Sequence, residues 1–262
     1  MLSEIKSALS DHPWQDRIEY FQTLDSTNTY AKELAMQGAA EGTVIIAGQQ
    51  TGGRGRLGRS FSSPAGMGLY FSMILRPDCY PEALMHLTCA AGVAASDAVN
   101  QLGCPMPQIK WTNDLILGRK KLGGILTELA VDPVSRKVDW AVVGIGINCS
   151  QKTEDFPEEI RNMATSLGID SACRAQLAAA LVRCLWQMRQ QLFSGKDEIM
   201  DKFRHRCITI GQEISVLRGD AVRHGKALNV DEDGGLVVEY SDGGMETVCS
   251  GEVSIRGMYG YL

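Results

Sequence analysis

The chain lacks the markers of several protein classes. No two of its eight cysteines form a Cys-x-x-Cys pair, and its four histidines show no metal-ligand spacing, which excludes zinc-ribbon and thiol-redox chemistry. The opening residues, Met1-Leu2-Ser3-Glu4-Ile5-Lys6, lack the apolar core of a signal peptide, and no uninterrupted apolar run is long enough to span a bilayer. A soluble, cytoplasmic protein with no membrane partner is the expectation. A basic excess is absent too: the formal charge of −5 argues against a general nucleic-acid binder. No nucleophile-plus-base signature for covalent catalysis stands out.

What is present is ordinary in bulk and unusual in one place. Hydrophobic residues make up 44% and charged residues 22% of the 262 positions, enough for one large α/β domain or a large domain plus a small one. Cysteines such as Cys149 and Cys184 sit in apolar runs and read as buried reduced thiols. The unusual stretch is Gly52-Gly53-Arg54-Gly55-Arg56-Leu57-Gly58-Arg59, between the apolar runs Val44 to Ala47 and Leu69 to Leu75. Glycines let backbone N–H groups approach a ligand closely, and guanidinium groups present forks of donors to carboxylate or phosphate. Together they suit a loop that folds over an anion. No Gly-Lys-Ser/Thr follows, so it is not a Walker A loop. On the residues alone, a solvated surface loop and an arginine-glycine tract for RNA remain alternatives.

Residues 1 to 17 are short and polar, too short for a DNA-binding helix-turn-helix domain ahead of the main fold. Arg17 to Leu24 predicts a strand, and Asp25-Ser26-Thr27-Asn28 supplies capping side chains for a helix carrying Tyr30, Leu34 and Ala35. Strands are expected at Thr43 to Gln50 and Gly68 to Leu75, and one long helix at Pro81 to Leu102. Lys110-Trp111-Thr112-Asn113-Asp114 gathers a cation, an amide and a carboxylate at the end of an apolar strand. In Lys121-Leu122-Gly123-Gly124-Ile125-Leu126, strand alternation would put Lys121, Gly123 and Ile125 on one face, and the glycines would let a ligand lie on the backbone. Lys121 reads equally well as a solvated turn lysine. Gly144-Ile145-Gly146-Ile147-Asn148 ends a buried strand and lacks the third glycine of a dinucleotide fingerprint. A helix follows at Ser171 to Phe193, then a last one through Arg204. From Ile208, short β-like runs separated by Gly-Asp or Gly-Gly turns predict a small β-barrel.

These stretches, in this order, resemble the biotin protein ligase family. The match adds Gln50 and the C-terminal Gly251-Glu252-Val253-Ser254-Ile255-Arg256 to those already quoted, and covers nearly the whole chain. The resemblance implies an α+β fold: a class II aminoacyl-tRNA synthetase-like catalytic domain with a mixed sheet and helices over 1–207, then an SH3-like β-barrel over 208–262. It implies that biotin and ATP give biotinyl-5′-AMP and pyrophosphate, after which a lysine of a biotin carboxyl carrier protein or domain is biotinylated, that carrier belonging to acetyl-CoA carboxylase or a related carboxylase. It assigns Arg54, Arg56 and Lys121 to catalysis. Ser26, Thr27, Asn28, Gln50, Gly53, Arg54 and Lys121 fall to biotin, whose fused rings would lie on Gly123, Gly124, Gly144 and Gly146. Arg56, Arg59, Phe61, Lys110, Asn113, Asp114, Asn148, Glu252 and Arg256 fall to the nucleotide, with Asp114 a partner for Mg²⁺. Magnesium takes one or two carboxylates plus substrate phosphates, so no dense acidic cluster is expected. A homodimer is an expectation of the same kind.

Two departures from the family pattern are visible: Thr112 stands where proline is usual, and Phe61 where tryptophan is usual. A lipoate–protein ligase or octanoyltransferase shares the fold and the lysine-acylating logic, and a non-catalytic RNA-binding module would use the arginine loop. The Gly-Arg loop with Lys-Trp-Thr-Asn-Asp favours the biotin branch; the acidic net charge disfavours RNA.

Overall fold

A computed structural model describes residues 1–218, 221–249 and 251–255. In chain order the elements are α1 (Leu2–Ala8), β1 (Ile18–Phe21), α2 (Thr27–Met36), β2 (Val44–Ala47), β3 (Gly68–Leu75), α3 (Leu87–Gln101), β4 (Gln108–Lys110), β5 (Asp114–Leu117), β6 (Lys120–Val131), β7 (Val138–Asn148), α4 (Ser171–Gln191), α5 (Lys196–Arg206), and then β8 (Glu213–Arg218), β9 (Ala221–Val230), β10 (Leu236–Tyr240), β11 (Met245–Val248) and β12 (Glu252–Ile255). The first seven strands form one sheet in the order β1-β2-β3-β7-β6-β5-β4. Only β1 and β2 run parallel in it; the other neighbours are antiparallel. The last five form a second, antiparallel sheet in the order β11-β10-β9-β8-β12. The fold is the expected α+β arrangement, a mixed sheet with helices followed by a smaller antiparallel sheet.

Strand composition follows from coverage. β2 and β3 are buried at every position, because helices pack on both of their faces and no polar side is left. On one face, α3 and α4 share a core with Phe71, Met73, Val143 and Ile145. On the other, Ala31 and Ala35 of α2 press against Ile45, Ile74, Trp140 and Val142. Burying small alanines lets α2 lie close to the sheet. The first turn of α2 reaches β7 at Gly144 through Asn28, and Phe61, just after the Gly-Arg loop, covers Gly146.

The second sheet is joined to the first at the Lys-Trp-Thr-Asn-Asp turn. The Trp111 indole N–H donates to the Gly234 carbonyl at 2.7 Å, the Trp111 amide to Thr209 Oγ1 at 2.9 Å, and the Ile208 amide to the Ile109 carbonyl at 2.9 Å. The expected single helix at 81–102 is instead a short 3-10 turn, Pro81–Leu84, followed by α3. His86 marks the break: its ring is buried and Nε2 is bonded to the Leu192 carbonyl at 2.8 Å. All eight cysteines are free; Cys89, Cys149, Cys184 and Cys207 are buried. No helix among the described residues is long and apolar enough to cross a membrane.

Candidate active site

Pairing register builds the floor of the site. Tyr70 on β3 faces Gly146 on β7, Gly146 faces Gly124 on β6, Gly124 faces Asp114 on β5, and Asp114 faces Lys110 on β4. Partners in register share a face of a sheet. One row therefore runs from an aromatic wall, across two glycines, to a carboxylate and an ammonium. A second row, Ser72–Gly144–Leu126, lies beside it. Above them is a solvent-open cleft.

Lys121 reaches this floor through an irregularity. Leu115 pairs with Gly123 but Ile116 pairs with Lys121, so Leu122 is an extra residue, a β-bulge. The extra residue flips the alternation, and Lys121 shares a face with Gly124 rather than with Gly123. The expectation that Lys121, Gly123 and Ile125 share one face is thereby corrected. Lys121 Nζ lies 2.8 Å from Asp114 Oδ1, and its Cε would sit 3.7 Å from a Cβ placed on Gly124. Its backbone is fixed separately, by bonds to Met163 and Thr165.

The Gly-Arg loop is a small hairpin. The Gly55 amide donates to the Arg59 carbonyl at 2.7 Å, the Phe61 amide to the Gly53 carbonyl at 2.9 Å, and Arg54 pairs with Ser60. Its tip needs left-handed backbone at Leu57 and Gly58 (φ 55 and 74), a conformation cheap only for glycine. Arg54 and Arg56 are each anchored. Arg54 Nη1 lies 3.1 Å from Glu128 Oε1. Arg56 donates to Asn113 Oδ1 at 2.9 Å and to the Gly251 carbonyl at 3.2 Å, while Asn113 Nδ2 donates to the Ile125 carbonyl at 3.2 Å. Arg59 and Lys110 also line the cleft.

At the opposite wall, Ser26 caps α2, its hydroxyl accepting from the Thr29 amide. Thr27 donates to Gln50 Oε1 from its amide (2.8 Å) and its hydroxyl (3.1 Å). Asn28 is fully engaged: Nδ2 donates to the Leu126 carbonyl and to Glu128 Oε2, while Oδ1 accepts from Ser72 at 2.6 Å. Lys32 Nζ adds a bond to Glu128 Oε1 at 2.8 Å. Burial would raise the Glu128 carboxyl, but hydrogen bonds from Lys32 and Asn28 and the charges of Lys32 and Arg54 outweigh it and hold it below its ordinary value.

Most of the expected residues meet in this cleft: Ser26, Thr27, Asn28, Gln50, Arg54, Arg56, Arg59, Phe61, Lys110, Asn113, Asp114, Lys121, Gly124, Gly144 and Gly146 all line it. Gly53, Gly123 and Asn148 do not. A Cβ on Gly53 would strike the Phe61 carbonyl, and one on Gly123 the Gly146 carbonyl; both glycines serve close backbone approach. Asn148 donates to the Thr165 carbonyl at 3.0 Å and accepts from Gln151 at 3.1 Å. The glycine floor also differs from expectation. Asn28 occupies the space over Gly144, and the Phe61 ring lies on Gly146, its Cε1 2.6 Å from where a Cβ would be. Of the floor glycines only Gly124 would meet its neighbours at ordinary contact distance, Lys121 Cε at 3.7 Å and Asp114 Oδ1 at 3.8 Å. Thr112 turns its hydroxyl to Cys89 Sγ at 3.4 Å, away from the cleft lining. The Glu252 side chain and the whole of Arg256 lie outside the described residues, although Gly251 and Val253 line the cleft mouth. Sequence reasoning missed Glu128, Lys32, Ser72 and Ser63, which belong to none of the motifs that stand out in the chain.

Among the described residues no group of three or more His, Cys, Asp or Glu forms a metal cluster. Asp114 is the one carboxylate in the described cleft lining. That donor set fits a Mg²⁺ drawing most of its ligands from phosphates and water, and does not fit a metal held by protein alone.

Known proteins resemble this chain in sequence and in fold. Residues 20–148 match the Biotin/lipoate A/B protein ligase family and residues 209–256 the Biotin protein ligase C terminal domain. The bifunctional ligase/repressor BirA of Bacillus subtilis is 33% identical over 245 residues, 92% of this chain and 75% of that protein. The biotin–[acetyl-CoA-carboxylase] ligase of Mycobacterium tuberculosis is 34% identical over 234 residues, 86% of this chain and 83% of that one. The solved biotin protein ligase from Aquifex aeolicus in complex with biotin and ATP has a TM-score of 0.74 at 30% identity, over 91% of this chain and 98% of its own. With its ordered motifs, its floor of cross-strand glycines and both family matches, the chain belongs to the biotin protein ligase family.

Proposed function

We propose that the protein joins biotin to ATP as biotinyl-5′-AMP and then transfers the biotinyl group to a lysine of a biotin carboxyl carrier domain of acetyl-CoA carboxylase or a related carboxylase. The observation that carries this reading is the convergence of Arg54, Arg56, Arg59, Lys110 and Lys121 on one cleft. In the first step a biotin carboxylate oxygen attacks the α-phosphorus and pyrophosphate departs with the electrons of the broken P–O bond. Two anions must meet, and fixed cations offset their repulsion. Lys121 stands over Gly124, where the carboxylate and the α-phosphate would come together. Arg56 and Lys110 face the phosphates. A Mg²⁺ held by Asp114 and the nucleotide would neutralise further phosphate charge. The Thr27–Gln50 wall offers an acceptor and donors matched to a ureido ring, and Phe61 on Gly146 offers an aromatic face to the fused rings.

In the second step the lysine amine attacks the acyl carbon, the C–O bond to AMP breaks, and the amine gives up its proton. The loop hairpin lying over the cleft keeps water from the anhydride. The match of residues 209–256 to a biotin-specific C-terminal domain supports biotin over lipoate or octanoate. Glu252 and Arg256 remain proposed nucleotide contacts, by their place in the Gly251-to-Arg256 stretch that resembles the family. The test is mass analysis of a purified carrier domain incubated with this protein, biotin and ATP. One biotinyl adduct on one lysine is expected, with none when ATP is omitted. An unmodified carrier, with no biotinyl-5′-AMP formed, would overturn the reading.

A further inference from the structure

Arg54 is the first arginine of the loop, and its charge is already answered by Glu128, a residue to which no role attaches from the sequence. Glu128 sits on β6, outside the cleft lining, with a side chain only 21% exposed. It receives Lys32 Nζ at 2.8 Å, Asn28 Nδ2 at 3.1 Å, and Arg54 Nη1 at 3.1 and 3.2 Å. From Asn28 a chain of hydrogen bonds continues under the cleft. Ser72 donates to Asn28 Oδ1 at 2.6 Å and lies 2.8 Å from Thr27 Oγ1. Thr27 donates to Gln50 Oε1, Gln50 Nε2 donates to Ser63 Oγ at 2.9 Å, and Ser63 donates to the Phe61 carbonyl at 2.9 Å. The chain starts at one stem of the loop and ends at the other. Its middle members, Thr27 and Gln50, form the wall proposed for the ureido ring.

We propose that Glu128 is a positioning residue: it pins Arg54, and through Asn28, Ser72, Thr27, Gln50 and Ser63 it ties both stems of the Gly-Arg loop to the wall that receives the substrate's polar ring. This deepens the ligase reading and rests on it for the identity of the substrate, while the pin itself is a property of the folded chain. Buried polar chains are worth having only when each member is satisfied. Removing the carboxylate charge strands Arg54 and Lys32 and lets the loop leave the wall. Arg54 thus acts first as an anchor, while Arg56 and Lys121 meet the reacting anions.

Two readouts separate the pin from the ligase reading. The first needs no activity: native-state trypsin cleavage after Arg56 and Arg59, mapped by mass spectrometry. Glu128→Gln is expected to raise cleavage there about tenfold, the loss of one charge-assisted hydrogen bond, with cleavage elsewhere unchanged. Arg54→Gln should do the same, and the double variant should be no worse than either, because both remove one contact. Ser63→Ala, at the far end of the chain, should raise it in the same place. The second readout is steady-state adenylation, where Glu128→Gln should raise KM for biotin about tenfold and leave kcat at saturating biotin within about threefold. Loop cleavage unchanged in Glu128→Gln, multiplying effects in the double variant, or a uniform rise across the chain would overturn the pin. A wild-type protein that consumes no biotin would overturn the ligase reading, and the cleavage series would still decide the role of Glu128.

Discussion

Truncating Lys121 to alanine separates chemistry from folding. The ammonium lies 2.8 Å from Asp114 Oδ1, with side-chain exposures of 39% and 18%. A pair this open to solvent contributes about 0–1 kcal/mol to stability, and the Lys121 backbone keeps its bonds to Met163 and Thr165. A loss of 1 kcal/mol lowers Tm by about 2–4 °C in a chain of this size. Adenylation loses much more. The variant removes a cation from beside the reacting anions and leaves Asp114 uncompensated on the same floor. A charge-assisted contact is worth about 1.5–3 kcal/mol, which at about 1.36 kcal/mol per decade is about a 10- to 150-fold fall in kcat/KM. The assay is biotin-dependent pyrophosphate release beside a thermal unfolding curve. If Lys121 acted only by neutralising Asp114, Asp114→Asn would restore the rate of the alanine variant; the geometry predicts no rescue. Adenylation unchanged in Lys121→Ala, or restored in the double variant, would refute the reasoning.

Other outcomes follow from the same geometry. Gly144→Ala places a methyl group on the Asn28 amide, an overpacking expected to cost about 1–3 kcal/mol, read as a lowered Tm; an unchanged Tm would contradict the packing described. Native thiol labelling should modify the exposed Cys249 well before Cys89, Cys149 or Cys184, since burial raises those thiols to about 12, 12 and 11 and thiolate is the reactive form; peptide mapping reads the order. The Glu128 carboxyl is held below the ordinary value of 4.5, so its stabilising contribution is complete above that value and is lost as pH falls through the lower folded one. The gap in Tm between wild type and Glu128→Gln should therefore be widest near neutral pH and close in acid. A gap independent of pH would argue against the ion-paired carboxylate.

Much of the fold was legible in the chain. The C-terminal strands show because short β-like runs and glycine turns are local signals: Ala221–Val230 and Leu236–Tyr240 flank a turn that holds Gly234 and Gly235. The motif residues were legible as a set because glycine and arginine spacing survives without tertiary information. The bulge at Leu122 was not, since one inserted residue leaves composition unchanged while exchanging the faces of its neighbours. Glu128 was hidden for another reason. Its partners Arg54, Lys32 and Asn28 are 74, 96 and 100 residues away, so alone it reads as a solvated strand residue. The glycine floor was only partly legible: Gly124 lines the cleft beneath Lys121, but Gly144 and Gly146 make room for Asn28 and Phe61, side chains whose approach depends on how α2 and the loop pack.

Pyrophosphate release with ATP and, in parallel, biotin, lipoate or octanoate tests the central claim most directly. The cation-lined cleft and the Thr27–Gln50 wall predict release with biotin and none above background with the other two acids, which lack a ureido group. Release driven by lipoate or octanoate, or by no acid at all, would contradict the account.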